Sequence, residues 1–277
     1  MKLRKVGIIA NSSKQKAQDM VDELRSYLDE KGIASNFFET YTSSADAMEG
    51  TDLMIVLGGD GTILNYARLY GRLQIPILGI NFGTLGFIAE IQPEDYREAL
   101  DQLIEGGGML SKRIVLHVVV ERSDKSRLEF FGLNDLVISH KNVLRMLSLD
   151  AYINGNYLVS YNGDGLIVSG PTGSTAYNLS AGGPVLHPEV NALLLTPICP
   201  HTLGERPLVI PGSESIRIRL AGEKRQDAMV SVDGQANTDI SSDDTVYIGV
   251  ADYTVDFVLL HKSDFYSKLR TRLFWGR

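Results

Sequence analysis

Along the first hundred residues, short apolar runs alternate with stretches whose apolar positions recur at helical spacing. Val6-Gly7-Ile8-Ile9-Ala10 predicts a buried strand. Over residues 14–31, Ala17, Met20, Val21, Leu24, Tyr27 and Leu28 fall on one helix face, and Gly32 stands where that helix should end. Ile33 to Phe38 predicts a second strand, and Asp52 to Leu57 a stronger one that runs directly into glycines. Thr62 to Leu73 predicts a helix, Pro76 to Ile80 a short strand, and Pro93 the start of a helix that ends at Gly106-Gly107-Gly108. Strands separated by helices predict a mainly parallel sheet with covered faces.

After Gly108 the pattern changes. Val115, Val118, Val119, Val120, Leu136, Val137 and Ile138 belong to strand-like runs. Asn154-Gly155 sits between Ala151-Tyr152-Ile153 and Tyr157-Leu158-Val159, a hairpin signature, because both turn residues tolerate positive φ. Further strands are expected at 215–220, 228–232, 245–250 and 254–260. The fold class is therefore an N-terminal α/β domain with a mainly parallel sheet and a β-rich C-terminal domain. The boundary falls within 101–109, dividing the chain into 1–105 and 106–261.

Composition narrows the function classes. The net charge is −7, which disfavours nucleic acid as a general partner. Basic side chains gather only in the tail, at Lys268, Arg270, Arg272 and Arg277, where a solvated or subunit-facing helix is the expectation. One cysteine, Cys199, excludes an internal disulfide and fits a reducing compartment. The apolar run after the basic N-terminus is too short for a signal core, and no run approaches a membrane span. A cytoplasmic protein without membrane contact is the expectation.

The chemistry concentrates in four places. Gly58-Gly59-Asp60-Gly61-Thr62 follows a buried strand and precedes a helix. Glycines there allow close approach of an anion, the helix N-terminus favours negative charge, and Thr62 is placed to cap it. Asp60 would repel a phosphate unless it has another task, as a magnesium ligand or as the base for an attacking hydroxyl. A simple Asx turn fits the same residues. The dinucleotide and P-loop glycine spacings are absent. Asn81-Phe82-Gly83-Thr84-Leu85-Gly86-Phe87 is a second loop after a strand. Asn134-Asp135 pairs an amide with a carboxylate beside an apolar run, a combination able to read a base edge and a ribose diol. The stretch from Asp164 through Pro184, DGLIVSGPTGSTAYNLSAGGP, joins a short strand to a turn and a short helix that Ser174 and Thr175 could cap. Its hydroxyls and N–H groups fit a ribose, base or phosphate equally well, and Tyr177 could stack on a ring.

These pieces, in this order and over nearly the full length, resemble the NAD kinase family. Pro200-His201-Thr202-Leu203, Arg206-Pro207-Leu208 and Val232-Asp233-Gly234-Gln235 extend the match. GGDGT alone is shared with lipid and sugar kinases; the Asp164–Pro184 stretch is far more specific. The resemblance implies a C-terminal segment, 262–277, that packs back on the first domain. It implies phosphoryl transfer to the 2′-hydroxyl of the adenosine ribose of NAD, giving NADP, with Mg²⁺-bound ATP or polyphosphate as donor. On that pattern Asp60 is the general base, Gly58, Gly59 and Gly61 serve the donor, and Thr62, Asn81 and Gly83 are further binding residues. Asn134 and Asp135 would contact the adenosine. Asp164, Thr172, Thr175, Ala176, Tyr177, Asn178, Leu179, Ser180 and Gln235 would line the dinucleotide site, with Arg145 and Asn162 as further members. No residue of the chain is assigned as a metal ligand. A homodimer or homotetramer is implied. A lipid or sugar kinase and a non-catalytic dinucleotide sensor are the alternatives.

Overall fold

The computed structural model describes residues 2–11, 13–40, 44–83, 86–89, 91–141, 146–202, 204–221, 228–260 and 265–273. The chain divides into two compact units, Met1–Lys112 with Thr254–Arg277, and Arg113–Tyr253.

The first unit alternates β1 (Lys5–Ala10), α1 (Gln15–Glu30), β2 (Ala34–Glu39), β3 (Leu53–Leu57), α2 (Asp60–Tyr70), β4 (Ile77–Ile80) and α3 (Tyr96–Ile104). β1 and β3 are buried on both faces, which is why they read as unbroken apolar runs. α1 buries the six residues that its spacing singled out. Tyr27 of α1 donates its hydroxyl to Asp101 of α3 at 2.6 Å, and Lys31 meets the same carboxylate. The strands lie in the order β2-β1-β3-β4 and are parallel throughout. The chain leaves β1 toward β2 on one side and continues at β3 on the other. A crevice therefore opens at the carboxyl ends of β1 and β3.

The second unit contains β5 (Met109–Glu121), β6 (Arg127–Gly132), β7 (Asp135–His140), β8 (Leu147–Ile153), β9 (Asn156–Gly163), β10 (Gly165–Ser169), the short helix α4 (Tyr177–Ser180), β11 (Ala192–Ile198), β12 (Leu208–Pro211), β13 (Ile216–Leu220), β14 (Ala228–Val232), β15 (Ala236–Ile240) and β16 (Thr245–Leu259). The first residues of β5 and the last of β16 belong to the first unit, where Phe257 pairs with Ile77 in a parallel bridge. One sheet runs β12-β11-β10-β7-β14-β15 and is antiparallel. The other contains β16-β13-β8-β9, with β5 and β6 paired alongside. Alternate residues of both sheets, such as Leu136, Ile138, Leu166 and Val168 against Leu149, Ala151, Ile216 and Ile218, share one buried core. Such face-to-face burial is a sandwich. A final helix, α5 (Phe265–Arg272), belongs to the first unit, and Lys268 donates to the Phe87 carbonyl there.

The fold class is the one the pattern predicts, with local corrections. α2 begins at Asp60, two residues before the expected Thr62. Gly59 is the N-cap, in an extended conformation, and no side chain caps the helix, so Thr62 is an interior residue. The helix stops at Tyr70, and residues 71–73 form a 3₁₀ turn. The strands expected at 245–250 and 254–260 are one continuous strand, β16. Ser174 and Thr175 do not cap α4 either: its N-cap is Ala176, and both hydroxyls bond carbonyls of the preceding turn.

Candidate functional site

In the first unit the crevice is a cavity of about 620 Å³. The ends of β1, β2, β3 and β4 reach it through Asn11, Thr40, Leu57, Gly58 and Asn81. The first turn of α1 contributes Lys14, Gln15 and Lys16, and Gly59, Thr62 and Gly83 complete the glycine side. Neither helix N-terminus at this cavity carries a side-chain cap. Their N–H groups and dipoles therefore favour an anion. Thr40 Oγ1 and Asn81 Nδ2 are buried and have no hydrogen-bond partner among the described residues. Orphaned polar atoms beside two uncapped helix starts suit an incoming group rich in acceptors. The sequence reading includes Gly58, Gly59, Thr62, Asn81 and Gly83 but misses Lys14, Lys16 and Thr40. Their signal was positional: two lysines flanking the start of a helix that follows the neighbouring parallel strand.

Gly58 must remain without a side chain, because a Cβ there would lie 2.5 Å from Thr62 Oγ1. Thr62 thus packs on the turn instead of capping it. Gly61 is exposed in the first turn of α2. Asp60 turns to the 86–89 segment. Its Oδ2 accepts the Phe87 N–H at 2.8 Å, while Oδ1 accepts those of Ile88 at 3.2 Å and Ala89 at 3.0 Å. A carboxylate offers about four lone-pair positions. Among the described residues three are filled, two on Oδ1 and one on Oδ2. Gly86 makes the arrangement possible: a Cβ on it would stand 2.1 Å from Oδ2. Thr84 and Leu85 of this motif lie outside the described residues.

The second unit gathers another set around one end of β10. Asn134 and Asp135 lead into β7, whose register sets Asp135 opposite Ser169. The Gly170 N–H donates to the Asn134 carbonyl at 3.0 Å. A Cβ on Gly173 would lie 2.1 Å from that same oxygen, so only glycine lets the 172–175 turn close onto Asn134. Asn134 Oδ1 and Thr172 Oγ1 are buried without partners among the described residues. Thr175 and Ala176 continue the turn half-buried, with Leu179 beyond them, while Tyr177 and Ser180 are exposed. Gln235 follows the turn that ends β14, the strand beside β7. Asn178 is the exception: it is fully buried, donates to the Ser174 and Pro184 carbonyls, and accepts the Thr196 hydroxyl. Its amide holds the turn together instead of facing a ligand. Asn162 and Asp164 stand at the other end of β10, roughly 15 Å away by strand rise. There Asp164 accepts a hydrogen bond from Cys199, and this bond holds the thiol's pKa above its ordinary value. Arg145 lies outside the described residues.

Asp135 is buried, and its pKa is pushed up to about 7, first by desolvation and then by the negative charge of Asp233. A buried acid titrating near neutrality is characteristic of a working site.

The fold and these features define a two-part protein, an α/β unit with a glycine turn beside a cavity and a β-sandwich with a cluster of polar residues at one end of β10. Residues 35–108 match the family model described as ATP-NAD kinase N-terminal domain, and residues 133–260 that of the ATP-NAD kinase C-terminal domain. The NAD kinase of Geobacter metallireducens is 36% identical, with 99% of both chains covered. That of Caldanaerobacter subterraneus subsp. tengcongensis is 38% identical over 98% of this chain and 99% of its own. Yeast NADH kinase, solved in complex with NADH, superposes with a TM-score of 0.90 at 26% identity, covering 99% of this chain and 88% of that one. An NAD kinase from Archaeoglobus fulgidus, solved with ATP, shares the fold at a TM-score of 0.76 and 23% identity, covering 98% and 99%. The chain belongs to the NAD kinase family.

Two outcomes follow from this geometry. Gly86→Ala should push the Asp60 carboxylate off its N–H donors and lower turnover at least tenfold (about 1.4 kcal/mol), read by steady-state kinetics beside a melting curve. Asp135 binds its proton more tightly folded than unfolded, so its contribution to stability is complete below its unfolded pKa and is lost as pH rises through about 7. Asp135→Asn should therefore melt higher than wild type at pH 8, by up to about 4 kcal/mol, with the difference vanishing near pH 4. Equal melting curves at both pH values would contradict the buried-acid assignment.

Proposed function

We propose that the protein transfers the terminal phosphoryl group of ATP, or of polyphosphate, to the 2′-hydroxyl of the adenosine ribose of NAD, producing NADP. The observation that carries this reading is the state of Asp60: a carboxylate that among the described residues accepts one N–H on Oδ2 and two on Oδ1, at the start of a helix beside a cavity lined by glycines and lysines. A ribose hydroxyl is a weak nucleophile. A fixed carboxylate within reach can take its proton while the new oxygen–phosphorus bond forms and the bond to the leaving phosphate breaks.

Residues of the chain supply the remainder by position and charge. Gly58, Gly59, Gly61 and the first turns of α1 and α2 receive the donor phosphates, with Lys14 and Lys16 offsetting their charge. Thr62, Asn81 and Gly83 shape that cradle. Asn134, Asp135, Thr172, Thr175, Ala176, Tyr177, Leu179, Ser180 and Gln235 hold the adenosine end of the dinucleotide. Asn162 and Asp164 hold its far end, and a dinucleotide has the length to engage both ends of β10. Asn178 supports the turn from within.

Mg²⁺ would come with the donor. Among the described residues no group of three or more His, Cys, Asp and Glu converges. A cation held by phosphate oxygens and water, and neutralising their charge, suits such a surface. The single cysteine and the nucleotide substrates fit the cytoplasm. No described helix is long and apolar enough to cross a membrane. A homodimer or homotetramer belongs to the same reading, and β9, an edge strand with exposed Tyr157 and Leu158, offers a surface for it.

The test is to incubate the protein with NAD, ATP and Mg²⁺ and to measure NADP with an NADP-specific dehydrogenase, with polyphosphate and NADH as substitutes in parallel. Asp60→Asn should retain NAD binding by calorimetry and lose turnover by about 10²–10⁴-fold. It should also melt lower by about 1–3 kcal/mol, since the amide cannot accept from all three N–H groups. Near-normal turnover in this variant would sink the assignment of Asp60 as base.

A further inference from the structure

Asp233 has no role in the reaction as described, yet its surroundings repeat those of Asp60. β14 and β15 are joined by Asp233-Gly234-Gln235, with φ of 52° and 65° at the first two and the Gln235 N–H donating to the Val232 carbonyl at 3.0 Å. Positive φ at both central positions makes a type I′ hairpin turn, for which Asp-Gly is a favoured pair. The turn carries the Asp233 side chain toward the segment that enters β7. Its Oδ2 accepts the Leu133 N–H at 2.9 Å, and its Oδ1 accepts those of Asn134 at 2.8 Å and Asp135 at 3.2 Å. In return the Asp233 N–H donates to the Asp135 carbonyl at 2.9 Å. Gly132 leaves the space for this: a Cβ there would lie 2.6 Å from Val232 and 3.0 Å from Asp233 Oδ1.

A turn needs none of these bonds. Asn or Gly would serve its backbone as well, and neither would bring a negative charge beside the buried Asp135. Placing two carboxylates together is unfavourable, and the arrangement persists because three N–H donors compensate one of them. The effect is to fix three consecutive residues, Leu133, Asn134 and Asp135, at the entry to β7. The β7 ladder begins only at Asp135, so ahead of it the Asn134 carbonyl is held by the Gly170 N–H, while the N–H groups of Leu133 and Asn134 are held by Asp233.

We propose that Asp233 is a positioning residue for dinucleotide binding, setting Asn134 and Asp135 through their backbone without touching the substrate. This rests on the reading that Asn134 and Asp135 hold the adenosine end. The chemistry follows the geometry: Asp233 acts on acceptor binding and leaves the donor cradle alone.

Steady-state kinetics of Asp233→Asn, with NAD and ATP varied separately, test it. Asn-Gly is also a preferred type I′ pair, so the hairpin is kept while the charge and one acceptor are lost. The KM for NAD should rise about tenfold, the scale of one lost charge-assisted hydrogen bond. The KM for ATP should stay at the wild-type value, and kcat should change less than the KM for NAD. Asn134→Ala and the double variant run beside it. A double variant with a KM for NAD close to that of Asn134→Ala supports action through Asn134. An unchanged KM for NAD in Asp233→Asn, or equal rises for both substrates, overturns the proposal. An Asn134→Ala variant with unchanged KM for NAD overturns the underlying reading of that pair, and the proposal with it. Should Asp233→Asn fail to fold, Gly132→Ala carries the same test with the same outcomes, because its Cβ crowds the carboxylate without removing it.

Discussion

Backbone N–H groups of Phe87, Ile88 and Ala89 converge on the Asp60 carboxylate, and much of the first unit is arranged so that they can. The chain leaves β4 at Ile80, and Ile91 then bridges back to Ile80. That excursion presents the three amides in sequence. Gly86 gives the carboxylate room, and Gly79, whose Cβ would meet Ile63 at 2.5 Å and Ala89 at 3.1 Å, lets α2 and the excursion close on β4. An unpaired carboxylate beside an anion cavity would be repelled by its ligand. Bound in this way, it has a fixed direction. On the proposed reading, the same atoms serve as the base and hold the loop.

The periodic parts of the molecule are legible from the chain alone because burial imposes their period. α1 shows it best: its apolar spacing and the αL glycine after it, with φ of 69° at Gly32, leave one reading. Motif positions are legible for a different reason, since clustered glycines next to an acid are hard to explain by packing. Contacts between segments far apart in sequence are not legible. Gly86 and Gly173 look like turn glycines, but each is required by an atom elsewhere, the Asp60 carboxylate in one case and the Asn134 carbonyl in the other. β11, Ala192–Ile198, went unread because it is a continuous apolar run with a proline inside it, and only its pairing with β10 and β12 reveals a buried strand. Thr62 and Ser174 show the opposite error. Their hydroxyls invite a capping role, but the glycine and alanine beside them take the cap positions, and each side chain packs or bonds within the turn.

The two aspartates show how one physical device can serve different ends. In each, three successive amides fill three of a carboxylate's acceptor positions, which stabilises the charge without a cation. Asp60 starts a helix, where the dipole also favours its charge, and it stands next to a cavity with lysines on the far wall. Asp233 sits in a hairpin turn, and its nearest acidic neighbour is the buried Asp135, whose proton it helps retain to about pH 7. A carboxylate that raises a neighbour's affinity for a proton is poorly placed to take one from a substrate. The same N–H count therefore does not imply the same role. What separates them is the neighbourhood: Asp60 starts a helix behind a glycine turn whose cavity is also lined by Lys14 and Lys16, while Asp233 lies in a hairpin turn beside the acid Asp135. On that distinction the first is suited to receive a proton and the second to hold a loop.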